Sequence, residues 1–262
     1  MHVSQILPEV KVLTKSVGDF IRQESRQFES SKIEVKSKNS LVSYVDKQAE
    51  EKLVKGLKDI FPEAGFITEE ETVEQSEAEF KWVIDPLDGT TNFMHGIPVY
   101  AISIALIQNN IPVLGVIYEI SRDELFAAVS GEGATLNDNK IQVAQNKTLE
   151  DSLNATGFPY YDYSNMSGYL GMLQELMKGS RGIRRMGSAA VDLAYVACGR
   201  FDSFFEYSLN AWDVAAGIII VQEAGGKVVD FKGGEDYLFG REIVASSSLI
   251  HDEMMSKIKA HF

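Results

Sequence analysis

The 262-residue sequence has one cysteine and four histidines, and far fewer basic than acidic residues. Cys198 has no second cysteine to pair with, which excludes an internal disulfide framework and a cysteine-based zinc site. Three of the histidines lie near the ends of the sequence, so a catalytic unit that needs histidine would have to be built around His95. Catalysis by carboxylates fits the composition better, since the sequence has 38 Asp and Glu but only four histidines.

Positive charge is scarce, since 25 Lys and Arg face 38 Asp and Glu, for a formal net charge of −13. This balance argues against a broad basic surface of the kind that binds nucleic acid. Long apolar runs are missing as well: no stretch approaches the roughly 20 residues of a membrane span. Residues 1–15 also lack the continuous apolar segment of a secretory signal. We expect a cytoplasmic protein that binds neither nucleic acid nor membranes.

Apolar spacing and turn residues predict alternating helices and strands. The predicted helices cover residues 3–29, 46–60, 164–178, 188–198, 212–224 and the end of the chain. The predicted strands cover residues 65–68, 80–85, 100–108, 111–119, 124–130, 152–157, 202–207, 227–231 and 242–247, with one more around Ile183. We expect Asp46 to cap the second helix. Residues 33–44 are expected to form a strand and an irregular loop, and residues 131–140 to form turns.

The alternation of elements indicates an α/β protein with layered packing, of α+β character in its first half. Residues 1–150 are typical of helices packed on an antiparallel sheet, and residues 151–262 of an α-β-α arrangement. No linker-like composition separates the two parts. We therefore expect a single domain over residues 1–262 with these two sub-lobes.

The segment WVIDPLDGTTNF, residues 82–93, carries the strongest chemical signal. Its apolar strand ends at Asp85, a proline then stops strand pairing, and Asp88 follows three residues after Asp85. Gly89 permits a sharp turn, and Thr90 can then begin a helix with free backbone N–H groups. The carboxylates suit a hard cation and the N–H groups suit an anion, so Mg²⁺ and a phosphate are the natural pair. The alternative is an ordinary Asx turn followed by a capped helix.

Two other segments place a carboxylate where a strand ends or a helix begins. Glu69 follows an apolar strand in FITEEET, residues 66–72, although acidic residues after a strand more often belong to solvated loops. Asp213 lies in the first turn of an apolar helix in NAWDVAAG, residues 210–217. The alternative for Asp213 is a carboxylate that only complements the helix dipole.

Two weaker candidates for substrate contact lie between these segments. Gly187, Ser188 and Ala189 stand at a predicted helix start, which is a modest anion-binding signal, but a simple serine N-cap explains the same pattern. Glu206 ends the predicted strand of residues 202–207, and a lone glutamate at a strand end is usually just exposed.

At these residues the chain resembles the inositol monophosphatase family, over nearly its whole length. The run from Asp85 to Phe93 matches the first signature of that family, and the run from Trp212 to Gly217, continued to Gly226, matches the second. Glu69 matches the upstream metal-binding glutamate. The order and separation of these segments are those of the family.

The resemblance implies a sugar-phosphatase fold with alternating α-β-α-β-α layers and a homodimer. It also implies Mg²⁺-dependent hydrolysis of phosphomonoesters, commonly inhibited by lithium, with two or three Mg²⁺ ions per active site. Glu69, Asp85 and the backbone carbonyl of Leu87 would hold a first Mg²⁺. Asp85, Asp88 and Asp213 would hold a second.

The resemblance also implies roles for the remaining residues. Thr90, working with Glu69, would orient a metal-bound water, and Asp46 would support Thr90 and the metal site. The N–H groups of Gly89 and Thr90 would hold the phosphate. A water near Asp213 could protonate the leaving alkoxide. The residues that would contact the alcohol half of the substrate are Asp88, Gly187, Ser188, Ala189 and Glu206.

The substrate expected first is inositol 1-phosphate. Relatives within the same family hydrolyse fructose 1,6-bisphosphate, histidinol phosphate or 3′-phosphoadenosine phosphates, and these remain alternatives. A mainly regulatory binding role is the alternative from another class, since some bacterial relatives act with transcription or ribosome factors. The presence of all the metal-binding carboxylates argues against that as the sole role.

Overall fold

The computed structural model describes residues 3–27, 33–37, 40–75, 78–159 and 162–262, with only the backbone described for 33–37 and 40–42. The helices within these ranges are α1 (Leu7–Ser25), α2 (Tyr44–Ile60), α3 (Thr90–Met94), α4 (Met166–Gly179), α5 (Ala189–Ala197), α6 (Ala211–Glu223) and α7 (His251–His261). The first strands are β1 (Ile33–Ser37), β2 (Ser40–Ser43), β3 (Gly65–Thr68), β4 (Phe80–Asp88), β5 (Ala101–Gln108), β6 (Ile111–Glu119) and β7 (Glu124–Val129). The later strands are β8 (Gly133–Leu136), β9 (Asn139–Lys140), β10 (Leu153–Thr156), β11 (Gly182–Arg184), β12 (Ser203–Tyr207), β13 (Gly226–Val229) and β14 (Glu242–Ser247).

Two large sheets organise the chain. The first has seven strands in the order β3-β4-β5-β6-β7-β8-β9, and every neighbouring pair is antiparallel except β3 and β4. The second has five strands in the order β11-β10-β12-β14-β13 and mixes parallel with antiparallel pairs. The antiparallel sheet expected in the first half is thus present, with one parallel pair at its edge.

Helices separate and cover the two sheets, so that the molecule has five layers. α1 and α2 pack on one face of the seven-stranded sheet, and α5 and α6 pack on the other. α5 and α6 also contact the five-stranded sheet, while α4 and α7 pack together beside β11 and β14. This arrangement confirms the predicted α-β-α-β-α fold.

Neighbouring residues of one strand belong to different hydrophobic cores, because successive side chains of a strand point to opposite faces. On β4, Trp82 packs under α1 and α2, whereas Val83 packs against α5 and α6. On β12, Phe204 faces the central core and Phe205 faces the core beneath α4 and α7. The central strands of both sheets are therefore buried on two sides, which explains the nearly continuous apolar sequences of β5 and β6.

Three local predictions were wrong. The N-cap of α2 is Ser43, whose Oγ accepts a hydrogen bond from Val45 N, and Asp46 instead lies one turn inside the helix and reaches back to the Ser43 N–H. The described residues between 33 and 44 form the antiparallel strands β1 and β2 and the start of α2 instead of one strand and a loop. Residues 131–140 contain β8 and β9.

The first helix is shorter than predicted. Residues 3–5 form a separate 3₁₀ turn, α1 begins at Leu7, and residues 28 and 29 of the prediction lie outside the described residues. In the part of the chain that the structure describes, no helix has both the length and the apolar character needed to cross a bilayer.

Candidate active site

The one parallel strand pair of the large sheet brings Glu69 beside Asp85. Thr68 at the end of β3 pairs with Ile84 on β4, and the next N–H, that of Glu69, donates to the carbonyl of Ile84 at 3.3 Å. The carboxyl ends of parallel strands lie at the same edge of a sheet. The two acidic residues therefore enter one cleft, although they are far apart in the sequence.

An irregularity in β4 directs its two aspartates into that cleft. Asp85 pairs with Ser103 and Asp88 with Ala101, so β4 uses one residue more than β5 over the same interval. Such a bulge re-aims side chains, and Pro86 lies within it because proline cannot donate to the ladder. The Leu87 N–H donates a hydrogen bond to Asp85 Oδ1 at 2.9 Å, which fixes the orientation of that carboxylate.

The third aspartate enters from the opposite side, on α6. Asp213 lies in the first turn of this helix and accepts a hydrogen bond from the Asn210 N–H at 2.6 Å, so it does complement the helix start. Ser103 of β5 donates to the Trp212 carbonyl at 3.2 Å and ties the helix start to the large sheet. Carboxylate oxygens of Asp85, Asp88 and Asp213 lie within 4.8 Å of one another.

The three carboxylates disfavour one another's charge. Burial, together with the charges of Glu69 and the other two aspartates, raises the pKa of Asp85 well above its ordinary value. Burial, and then the charge of Asp88, raise the pKa of Asp213 to about 7. Burial raises the pKa of Asp88 to about 6, even though hydrogen bonds from Ser188 and Ala190 favour its ionised form. A bound cation would remove this repulsion, and an all-oxygen donor set fits Mg²⁺.

Thr90 begins α3 and lies between two acceptors. Its hydroxyl oxygen is 2.9 Å from Asp46 Oδ1 and 2.9 Å from the Leu87 carbonyl oxygen. Asp46 is buried, and its other oxygen accepts from the Ser43 N–H at 2.8 Å and the Ser43 hydroxyl at 2.6 Å. Burial raises the pKa of Asp46. The predicted residue Asp46 thus lies behind Thr90 and outside the cleft lining.

Gly89 is needed for the close approach of two chain segments. Its φ of +92° lies in the left-handed region, and a Cβ there would stand 2.9 Å from the Val99 carbonyl oxygen and 3.3 Å from that of Gly187. Asn92 joins the same segments, since its Nδ2 donates at 2.8 Å to the carbonyls of both Val99 and Met186. The start of α3 and the start of α5 therefore face each other across the cleft.

Ser188 is a helix N-cap, as the alternative considered for it predicts, and it also contacts Asp88. It is the N-cap of α5, with its Oγ 3.2 Å from Val191 N, and the same hydroxyl donates to Asp88 Oδ2 at 2.7 Å. The Ala190 N–H also donates to Asp88 Oδ2, at 2.7 Å. The first turn of α5 thus holds Asp88 in place, and Gly187, Ser188 and Ala189 line the cleft.

Glu206 is buried, which contradicts the alternative that it is merely exposed. Its side chain lies in the cleft at 6% exposure, and its carboxylate packs directly against the backbone of Gly157. Burial and then the charge of Asp213 raise its pKa well above the ordinary value, while Arg185 opposes the shift.

The structure adds residues that the sequence patterns did not single out. Arg185 lines the cleft, with its guanidinium carbon 5.3 Å from the ring centroid of Phe158. Asp192, four residues after Ser188 on α5, also lines the cleft and is 1% exposed. Its Oδ1 has no hydrogen-bond partner among the described residues, and burial followed by the charge of Glu206 raises its pKa. The only sequence signal for Arg185 is its place in an arginine pair ahead of Gly187. The only one for Asp192 is its helical spacing from Ser188.

The predicted site is thus assembled in one place. Apart from Asp46, which supports Thr90 from behind, every site residue expected from the sequence lines a single cleft. These lining residues are Glu69, Asp85, Leu87, Asp88, Gly89, Thr90, Gly187, Ser188, Ala189, Glu206 and Asp213.

Comparisons with known proteins agree with this geometry. The chain is 40% identical over 246 residues to the Nus factor SuhB of Pasteurella multocida, covering 94% of this chain and 92% of that protein. It is 40% identical over 260 residues to an inositol-1-monophosphatase of Mesorhizobium japonicum, covering 99% and 98%. The crystal structure of the extragenic suppressor protein suhB from Bartonella henselae matches with a TM-score of 0.92 at 37% identity, covering 98% and 100%. A sequence profile of the inositol monophosphatase family matches residues 3–261, and the chain belongs to that family.

Proposed function

We propose that this protein is a Mg²⁺-dependent hydrolase that releases phosphate from a small polyol or sugar phosphate, with inositol 1-phosphate as the first candidate. The observation that carries the proposal is the convergence of oxygens from Asp85, Asp88 and Asp213 within 4.8 Å, in a cleft that Thr90 also lines. Membership of the inositol monophosphatase family supports the same reaction class.

The metal donors in this proposal are carboxylates and one carbonyl. Glu69, Asp85 and the Leu87 carbonyl would form one Mg²⁺ site, and Asp85 would share a second with Asp88 and Asp213. Burial, and then the charges of the neighbouring carboxylates, disfavour the ionised form of Asp85, and a bound cation would favour it, which supports a metal at this position. When bound, Mg²⁺ supplies Lewis-acid chemistry, because it acidifies a water molecule and neutralises charge on phosphoryl oxygens.

Thr90 and Glu69 would position the attacking water. The Thr90 hydroxyl would donate its one proton to the Asp46 carboxylate, the stronger of its two acceptors, and one of its two lone pairs would accept a hydrogen bond from water. Glu69 would take up a proton from that water as its oxygen attacks phosphorus. Asp46 contributes by holding the Thr90 hydroxyl in one orientation.

The ends of two helices would bind the two halves of the substrate. The N–H groups of Gly89 and Thr90, at the start of α3, have no partner inside the helix and would hold phosphate oxygens. Glu206 and the start of α5, from Gly187 to Ala189, would contact the alcohol. Asp88 would contact it from the same side. A water near Asp213 would protonate the departing oxygen as its bond to phosphorus breaks.

Phosphate release from purified protein tests the proposal. We expect turnover of myo-inositol 1-phosphate that requires Mg²⁺ and stops on chelation. Fructose 1,6-bisphosphate, histidinol phosphate and 3′-phosphoadenosine 5′-phosphate are measured in parallel, since the highest kcat/KM identifies the substrate class. Turnover of a different member of the panel would correct the substrate, whereas Mg²⁺-independent turnover or none on any of the four would contradict the proposed reaction.

A regulatory binding role is the second candidate, because relatives about 40% identical to this chain are named Nus factor SuhB. The two roles differ in their need for the metal carboxylates. In a strain that lacks the gene, a phosphatase role predicts that the Asp85→Asn variant fails to restore the wild-type phenotype. Restoration by a variant shown to be inactive would favour the binding role. A homodimer and a cytoplasmic location are further parts of the proposal, which light scattering and cell fractionation would test.

A further inference from the structure

The turn that carries Glu69 is fastened to α2 by a buried carboxylate. Glu50 of α2 is 0% exposed. Its Oε2 accepts a hydrogen bond from the Glu70 N–H at 2.8 Å, and its Oε1 accepts from the Thr72 N–H at 2.9 Å and the Thr72 hydroxyl at 2.8 Å. Both oxygens of one side chain are thus used to hold residues 70 and 72, directly after Glu69.

The backbone between these contacts is in an unusual conformation. Glu71 has a φ of +54°, in the left-handed region that residues other than glycine rarely adopt. The reversal at Glu71 allows the N–H groups of Glu70 and Thr72 to converge on one anion, in the manner of an anion-binding nest. Such a conformation persists only where its surroundings hold it, and here the holding group is Glu50.

The same helix also holds the other side of the site. Asp46, one turn before Glu50 on α2, accepts the hydrogen bond from Thr90. Ala49 and Leu53 are fully buried in the core beneath this helix, so α2 is a rigid support. Glu69 and Thr90 are the two residues proposed to position water. Both are therefore held in place by α2, through two acidic side chains spaced i, i+4.

We infer that Glu50 is a positioning residue for Mg²⁺ binding, acting through Glu69, an inference that rests on the proposed function. Asp85 and Asp88 are fixed by the bulge of β4, and Asp213 by the start of α6, so none of them depends on Glu50. Loss of Glu50 would let the turn at Glu71 relax and would displace Glu69 before any other ligand. Residues that orient a ligand typically contribute 10–100-fold to metal affinity, so we expect a change of about that size.

Direct titration of the purified protein with Mg²⁺ by calorimetry tests this, alongside thermal melting and steady-state kinetics. In Glu50→Gln the replacement amide can accept at one atom only, so we expect the Mg²⁺ dissociation constant to rise about 10–100-fold. The Mg²⁺ concentration for half-maximal activity should rise by the same factor, while kcat at saturating Mg²⁺ falls by much less. A merely structural role would lower the melting temperature and leave the Mg²⁺ dissociation constant unchanged.

Two further variants make the result decisive. Thr72 lies on the exposed turn, and Thr72→Val removes one of the three hydrogen bonds to Glu50 without a change of charge. We expect the Mg²⁺ dissociation constant of this variant to rise about three- to tenfold. The variant also tests the inference if Glu50→Gln does not fold. Glu51→Gln makes the same charge change at the exposed neighbouring position of α2 and should bind Mg²⁺ as the wild type does.

The outcomes separate the two levels of the proposal. Wild-type affinity in Thr72→Val and in folded Glu50→Gln, with wild-type protein that binds Mg²⁺ and releases phosphate, would overturn the role of Glu50 alone. A rise equal in Glu51→Gln and Glu50→Gln would overturn it too, because it would reflect net charge. Wild-type protein that binds no Mg²⁺ would overturn the proposed function and this inference with it.

Discussion

The hydroxyl oxygen of Thr90 lies 2.9 Å from a carboxylate oxygen of Asp46, although the two residues are 44 positions apart in the sequence. The other carboxylate oxygen of Asp46 accepts hydrogen bonds from the N–H and the hydroxyl of Ser43, at the N-terminus of α2. The orientation of Thr90 is therefore tied to the capping of α2. A hydrogen bond at the edge of the cleft depends in this way on the start of a helix in another layer.

Replacing Thr90 by Val tests this pair. Valine keeps the branched shape of threonine and replaces the hydroxyl by a methyl group, so the group that orients the attacking water is lost with little change in volume. Positioned proton transfer typically contributes 10²–10⁴-fold, and we expect kcat to fall by about 100-fold or more. Steady-state phosphate release at saturating Mg²⁺ measures the change. Thr90→Ser, which retains the hydroxyl, should keep most of the activity, and equal activity in the Val and Ser variants would exclude a role for the hydroxyl.

The Asp85→Asn variant should separate activity from stability. Asp85 is the carboxylate shared by both proposed Mg²⁺ sites, so we expect kcat/KM to fall by more than about 100-fold, the upper range for residues that only support a ligand. The metal-free protein should become more stable, because burial, and then the charges of the neighbouring carboxylates, disfavour an ionisable group at position 85, and an amide avoids this cost. About 1 kcal/mol of relief would raise the melting temperature by about 2–4 °C in a chain of this size.

Thermal melting in a chelator and phosphate release with Mg²⁺ measure the two effects. Asp59→Asn, at an exposed position of α2, is the control and should change neither property. Wild-type turnover in Asp85→Asn would contradict the assignment of the metal site. Unchanged melting would contradict the repulsion among the carboxylates.

Much of the site could be predicted because the chain marks it locally. Glu69 directly follows β3, and Asp85 and Asp88 lie within the last four residues of β4. Asp213 lies in the first turn of α6. The predicted strand ends and helix start therefore indicate these positions. Glu50, Arg185 and Asp192 carry no such local mark. Their importance comes from contacts with segments that are distant in sequence, such as the contact of Glu50 with Thr72.

The missed hairpin of β8 and β9 has a different cause. Asn137 and Asp138 both have positive φ, as a two-residue type I′ turn requires, and they join strands of only four and two residues. Glycine and asparagine within those strands have low strand propensity, so the segment has the composition of a loop. Pairing of β8 with β7 overrides that local preference.

The metal-free protein should lose stability as the pH rises from about 4 to 7. The pKa of Asp88 is raised to about 6 and that of Asp213 to about 7 in the folded protein, above their values in the unfolded chain. The folded state therefore binds more protons between pH 4 and 7, and its advantage is lost as the pH rises through the folded pKa values. Burial lowers the pKa of His251, whose contribution has the opposite sign. Urea unfolding of wild type and Asp213→Asn, compared pH by pH, isolates the part due to the cleft.

We expect the free energy of unfolding of wild type to fall more steeply with pH than that of Asp213→Asn when a chelator is present. Saturating Mg²⁺ should reverse the trend, because metal binding requires deprotonated ligands and stabilises the state that binds it. Parallel pH profiles for the two proteins in chelator would show that Asp213 does not titrate in this range.

Glu206 and Gly157 provide a test of specificity for the alcohol. A Cβ at position 157 would overlap the carboxylate of Glu206, and the backbone there is held by a 2.7 Å hydrogen bond from the Tyr169 hydroxyl to the Gly157 carbonyl. In Gly157→Ala the carboxylate must therefore move. Overpacking of this kind costs about 1–3 kcal/mol of stability, which thermal melting will detect. Gly179→Ala is the control, because a Cβ at that exposed position meets nothing within 4 Å.

The displaced carboxylate should matter only for substrates whose leaving group it contacts. A hydrogen bond to a charged group is worth about 1.5–3 kcal/mol, so kcat/KM for myo-inositol 1-phosphate should fall about 10–100-fold in Gly157→Ala. An aryl phosphate such as p-nitrophenyl phosphate has no hydroxyl on its leaving group for Glu206 to bind, and its kcat/KM should change little. The ratio of the two values in one preparation cancels any loss of folded protein. An equal fall for both substrates would place the damage in the metal site and remove Glu206 from recognition of the alcohol.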